Sequence, residues 1–259
     1  MLVHTIPIPL PLTILAESLT STAFAPFGAV LTNPAPETRP SAPASALPSG
    51  YGAVSANQGT AIQYRALVPP LKDLYEQAPS RRSASPRTTM FVCSARQLIP
   101  DERPGSTNGL FEVKILERHP FTTQTFVPLG ASAETQYLVI VAPSRAPDIP
   151  DKNFPVPQGD GLPGSGLPDL NGLRAFVATG AQAVTYGAGT WHAPMAALGP
   201  AGSAIDFIVI QFANDEPIED CQEVSLRMVD QGQERKGNTQ NFPKIMVQVP
   251  PSPSRPSKL

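Results

Sequence analysis

Apolar and polar residues alternate from Phe111 to His119 as they would in a half-buried strand. Val113, Ile115, Glu117 and His119 are therefore expected on one face, pointing inward, and Lys114, Leu116 and Arg118 on the other. The same period of two recurs over residues 61–68, 173–178 (LRAFVA) and 205–212 (IDFIVIQF), while 219–224 reads as an edge strand. Residues 88–95 (TTMFVCSA) read as a buried-type strand, and the unbroken apolar character of 136–142, with YLVIV at its heart, fits a strand covered on both faces. Residues 13–19 and then 23–27 look like a short helix that brings Phe24 and Phe27 to the core before Gly28 turns the chain. Short strands joined by turns, with little helix, predict a mainly all-β chain: an antiparallel barrel or sandwich with a few short helices.

Between these elements lie stretches that have no pattern able to bury a face. Residues 33–50, 77–87 and 143–168 are rich in proline and small polar residues and read as long loops inserted into one domain spanning 1–249. The 259-residue chain has 32 prolines and 19 glycines, and 14 of the prolines sit in these three blocks. A net charge of -2 argues against a basic nucleic-acid surface, so no nucleic-acid partner is expected. The first fifteen residues are broken by Pro7, Pro9 and Pro11, which excludes a membrane helix there. Cys93 and Cys221 form no metal-type pair and no disulfide framework, and read as packing residues in a reducing compartment.

The candidate chemistry lies in that first strand. Glu117 and His119 beside Val113 and Ile115 place an acid and an imidazole on a core-facing surface, where they are costly unless they bind, pair or react. His192 closes the Gly187-Ala-Gly-Thr-Trp-His192 turn, and His4 is set aside with the N-terminal end. Gln124 and Phe126 follow His119, Gln124 as a group that could bond an amide and Phe126 as pocket wall.

Glu117-x-His119 with Gln124 resembles the first cupin motif, Glu replacing its first histidine and Gln its acid. Gly187-x-Gly189-x-x-His192 resembles the second, with Gly in the Pro position. Larger stretches carry a closer resemblance. LERHPFTTQTFVPL, YLVIVA, PDLNGLRAFVATGAQAVTYGAGTWHAP and DFIVIQF, in that order, strongly resemble the ureidoglycolate lyases of allantoin degradation, in their fungal form. The likeness covers most of residues 12–223, including FAPFGAVL and Asn57-x-Gly59 with Tyr64. It implies a cupin-like β-barrel, usually a homodimer, that splits ureidoglycolate into glyoxylate and urea.

That reaction needs one base for the substrate hydroxyl and one acid for the departing nitrogen, and Glu117, His119 and His192 are the candidates. Alternatively a divalent transition metal on His119, His192, Glu117 and Gln124 would bind the substrate oxygens. Arg174 is the candidate grip on the substrate carboxylate, because a guanidinium offers a two-pronged fork. Asn57, Tyr64 and Trp191 complete the candidate substrate contacts, and Arg118 reads as structural or as a dimer contact. Two other functions stay open: hydrolysis of the same substrate with release of ammonia, and a cupin-like module that senses a small ureide without turning it over. Finally, Ser257-Lys258-Leu259 spells the peroxisomal address read by an import receptor, on a tail over 250–259 expected to be disordered. Without that address the expectation is a cytoplasmic enzyme.

Overall fold

The computed structural model describes residues 1–8, 10–41, 44–148, 154–227 and 244–251. The Ser257-Lys258-Leu259 address and most of the tail lie outside them. The chain is mainly β, as its alternation predicts, and is built around one central sheet. Across that sheet run Leu2–Pro7, Gln222–Arg227, Ile115–Arg118, Trp191–His192, Gln136–Ala142, Arg174–Thr179 and Glu17–Ser18, with Ala196–Leu198 also paired to Gln136–Ala142. Gln136–Ala142 shows why the sheet is central. Leu138, Ile140 and Ala142 pack into one core cluster, and Tyr137, Val139 and Val141 into another. Its unbroken apolar run is thus used on both faces.

The two cores belong to two covering sheets. On one side Leu12–Leu15, Ile245–Val249, Gly109–Val113 and Ile99–Pro100 form a four-stranded sheet that supplies Phe111, Val113, Ile245 and Val247. On the other, Gly28–Leu31, Ala183–Tyr186, Gln124–Leu129, Ala204–Ala213 and Ser85–Ser94 form a five-stranded sheet that supplies Val30, Phe126, Val184, Tyr186, Phe207 and Val209. Phe24 reaches this second core from a single helical turn, Ser21–Phe24, which Thr20 caps by accepting a hydrogen bond from the Ala23 N–H.

Several expectations need correction. Residues 13–19 are strands, not helix: Leu12–Leu15 and Glu17–Ser18 pair parallel with Ile245–Val249 and Arg174–Thr179, so the sheets are mixed where purely antiparallel ones were expected. His4 lies in the Leu2–Pro7 strand, which runs parallel to Gln222–Arg227. Gln222–Arg227 is in turn an inner strand and no edge. The strand expected over 61–68 stops at Tyr64, in a small hairpin with Ala53–Ala56. The expected buried strand at 88–95 is the edge Ser85–Ser94, with Met90, Phe91 and Val92 about half exposed or more. Ile245–Val249, with Ile245, Val247 and Val249 buried, was not anticipated.

The alternation from Phe111 to His119 hides a change of sheet. Gly109–Val113 ends in the four-stranded sheet, Lys114 breaks the ladder, and Ile115–Arg118 continues in the central one. The break shifts the pattern by one residue: Val113 and Leu116 share the first core, so Val113 and Glu117 do not share a face. Leu116 and Arg118 face the four-stranded sheet, and Glu117 turns toward the five-stranded one.

Candidate active site

Three strands and one connection bring the candidate acid and imidazoles together. Glu117 lies opposite His192 in the ladder, and His192 lies opposite Val141, whose side chain belongs to the second core. Residues directly opposite in a ladder share a face. Glu117 and His192 therefore project between the central and five-stranded sheets. His119 follows the strand and begins the connection to Gln124–Leu129, which crosses from one sheet to the other. One ligand atom from each of Glu117, His119 and His192 lies within 4.8 Å of the others.

Both rings are fixed by their second nitrogen. Nδ1 of His119 is 2.6 Å from the Asp220 carbonyl, and Nδ1 of His192 is 2.9 Å from the Thr190 carbonyl. A carbonyl oxygen only accepts, so each Nδ1 carries the hydrogen and each neutral ring presents a bare Nε2. Burial holds both rings neutral: it pushes the His119 imidazole down, and with His119 nearby pushes His192 down to about 3. Both Nε2 atoms are buried without a hydrogen-bond partner among the described residues. Glu117 Oε1 stands 3.7 Å from His192 Nε2, too far for a hydrogen bond. Burial, reinforced by Glu223, raises the Glu117 carboxyl to about 7.

The supports explain why these rings stay in place. Tyr186 stacks on His192 with centroids 3.9 Å apart and planes 10° from parallel. The Gly189 N–H donates to the His119 carbonyl at 2.9 Å, so the second glycine motif holds the first histidine. Gly189 has φ of +77°, a conformation open to glycine at little cost. Asp220, whose carbonyl fixes His119, is itself held: its carboxylate accepts from Tyr75 Oη at 2.6 Å and from the Asn214 and Asp215 N–H groups at 3.0 and 2.9 Å.

A cavity of about 370 Å³ opens onto this cluster. Glu117 and His119 reach it from one side, and Gln124, Phe126, Val209, Gln211, Thr89 and Phe91 line the five-stranded side. Gln124 and Phe126 thus both line the cavity. The other expected contacts are elsewhere. Trp191 is fully buried in the first core. Arg174 forms an ion pair with Glu17 at 3.0 Å, donates to the Ala23 carbonyl and does not line the cavity. Asn57 and Tyr64 lie in and beside the small hairpin, also away from the lining. Sequence reasoning missed Gln211, Tyr186 and Asp220. A signal existed for Gln211, which alternates with Phe207 and Val209 on an apolar face as Glu117 was thought to do.

Residues 11–230 match the sequence profile of the family described as ureidoglycolate lyase. A ureidoglycolate lyase of Schizosaccharomyces pombe is 36% identical over 211 residues, covering 81% of this chain and 89% of its own. One from Saccharomyces cerevisiae is 36% identical over 217 residues (82% and 93%), and one from Burkholderia mallei 32% identical over 203 residues (78% and 84%). The chain belongs to the ureidoglycolate lyase family.

Proposed function

We propose that the chain cleaves ureidoglycolate to glyoxylate and urea in the cavity between the central and five-stranded sheets, with Glu117, His119 and His192 as its reacting groups. The two sheets are read as the walls of the family's cupin barrel. The observation that carries the assignment is the pair of bare, buried, unpartnered Nε2 atoms beside a carboxyl group whose burial favours its protonated form. Such groups are costly to a fold and suited to moving protons.

The reaction is an elimination that needs no water. The substrate hydroxyl loses its proton, its oxygen electrons form the glyoxylate carbonyl, and the C–N bond pair leaves on the urea nitrogen, which takes up a proton. His119, a residue of the cavity lining, accepts the first proton at its bare Nε2, and the protonated Glu117 donates the second. Proton return from His119 to Glu117 restores the site. His192, stacked on Tyr186, sets its bare Nε2 3.7 Å from Glu117 Oε1 and is the third member of the reacting set, beside the carboxyl that donates.

The same three side chains also fit a divalent transition ion, being two Nε2 donors with carbonyl-fixed Nδ1 atoms and one carboxylate. Such an ion, when bound, supplies positive charge for the substrate's carboxylate and hydroxyl oxygens in a cavity whose lining contains no lysine or arginine.

Product analysis tests the reaction. Intact urea with glyoxylate is expected; ammonia released without urease would mean hydrolysis instead, and no turnover above the spontaneous rate would leave a sensor. Metal analysis, with turnover measured before and after chelation, tests the ion. Loss on chelation and recovery on re-addition assign it a role, while unchanged turnover leaves the proton transfers to Glu117 and the imidazoles alone.

A further inference from the structure

The Glu117–His119–His192 cluster accounts for bond breaking but not for the choice of a ureido compound. Two glutamines on neighbouring strands of the five-stranded sheet, both lining the cavity, are not used by that chemistry. Gln124 Nε2 donates to Gln211 Oε1 at 2.7 Å. Gln124 is only 4% exposed, and its Oε1 is buried without a partner among the described residues. Gln211 is half-buried, and its Nε2 makes no hydrogen bond among the described residues.

We propose that the Gln124–Gln211 pair reads the terminal –CO–NH2 of the substrate, and so makes the site specific for ureido compounds over other N-acyl carbinolamides. The bond between the two amides uses one donor and one acceptor. What remains is one amide oxygen able to accept and one NH2 able to donate. This holds whichever way the two amides are turned: reversing both only exchanges which residue offers which group. A urea terminus presents the mirror set, an NH2 that donates and a carbonyl that accepts. Docked side by side, each satisfies the other, and the buried Gln124 Oε1 gains the donor it lacks. An N-acetyl group keeps the carbonyl but puts a methyl group against that oxygen, leaving it desolvated and unpaired, which is the condition under which polar sites discriminate strongly.

The inference rests on the proposed reaction for the identity of the substrate, and its test separates the two. N-carbamoylglycine and N-acetylglycine lack the hydroxyl, cannot react, and differ only in the terminal NH2 or CH3. Calorimetry on the full-length chain should show N-carbamoylglycine bound at least about tenfold more tightly. Gln124→Leu and Gln211→Leu should each bring that ratio close to one while N-acetylglycine still binds, which shows that the variant has folded. A wild-type ratio near one overturns the inference. So does an unchanged ratio in a variant that still binds N-acetylglycine, and so does loss of both ligands from both variants, since the pair would then be structural. Ureidoglycolate turnover by the wild type is followed in parallel: its absence counts against the proposed reaction, whereas normal turnover without discrimination counts against the glutamine pair alone.

Discussion

The two faces of the Ile115–Arg118 strand treat buried polar groups in opposite ways. On the face toward the four-stranded sheet, Arg118 is fully buried and richly partnered. Its Nη1 donates to the Gly164 and Gly166 carbonyls, Nη2 to the Ser165 carbonyl, and Nε to Gln222 Oε1 at 2.8 Å, while the guanidinium lies 4.4 Å from the Trp191 ring centroid. Toward the opposite face, His119 Nε2, His192 Nε2 and, from the five-stranded sheet, Gln124 Oε1 are hidden and have no partner among the described residues. Burial alone does not distinguish a structural group from a chemical one. The state of its hydrogen bonds separates the two faces: the satisfied atoms hold the fold, and the orphaned ones are those the proposed chemistry uses.

The largest effect should come from breaking the satisfied face. Arg118→Met keeps a long apolar stem beside Trp191 but strips donors from three backbone carbonyls and from Gln222. We expect a loss of about 3 kcal/mol or more in denaturant unfolding and a fall in melting temperature of roughly 10 °C. Because Trp191 Nε1 also donates to the Gly166 carbonyl, the loop around 164–166 should become the first site of limited proteolysis. Stability close to wild type would show that the loop is held by other contacts.

On the orphaned face the balance should reverse. His119→Ala and His192→Ala each lose one hydrogen bond to a backbone carbonyl at Nδ1 and none at Nε2, so melting should fall by only a few degrees, about 2–4 °C. Turnover of ureidoglycolate should fall by about a hundredfold or more in each. A variant with near-normal kcat would remove that histidine from the reacting set.

Much of this arrangement was legible in the sequence, for reasons particular residues make plain. Glu117 and His119 stand out because ionisable groups interrupt apolar alternation, and His192 because it closes a glycine-rich turn; the structure does bring the three together. The same rule set Arg118 on the opposite face, where it is structural as expected, but missed that Val113 and Glu117 part company, because alternation assumes one uninterrupted ladder and Lys114 breaks it between two sheets. The runs at 88–95 and 136–142 look alike, yet one is an exposed edge and the other is covered on both sides. That depends on sheet order, which is set by pairings between distant residues. Arg174 was chosen for its chemistry alone, and only its Glu17 partner, 157 positions away, reveals its surroundings.

A pH measurement sharpens the comparison further. Burial holds the Glu117 carboxyl at about 7, above its ordinary 4.5. Between these values the folded protein keeps a proton that the unfolded chain releases. The stability Glu117 contributes is therefore full below about pH 4.5 and is lost as pH rises through about 7. In metal-free protein, Glu117→Gln should remain at the low-pH level, so that the variant gains about 1–3 kcal/mol on the wild type between pH 4.5 and pH 8. Arg118→Met should run parallel to wild type over that window. Parallel curves for Glu117→Gln would show that the carboxylate is charged in the fold and compensated there.

The smallest effect is expected at Arg174, and it tests whether the cavity has been correctly bounded. Its ion pair with Glu17 is partly exposed, with side-chain accessibilities of 35% and 54%, so solvent screens most of its energy. Arg174→Lys keeps the charge and loses the fork that spans Glu17 and the Ala23 carbonyl, together with the guanidinium 4.9 Å from the Phe176 ring centroid. The cost should stay within about 1 kcal/mol, and KM for ureidoglycolate should not change, since Arg174 is no part of the lining. A severalfold rise in KM with unchanged stability would place the substrate carboxylate at Arg174. The binding site would then extend past the central sheet's Gln136–Ala142 strand toward Arg174–Thr179, and the orphaned atoms around Gln124 would need another ligand.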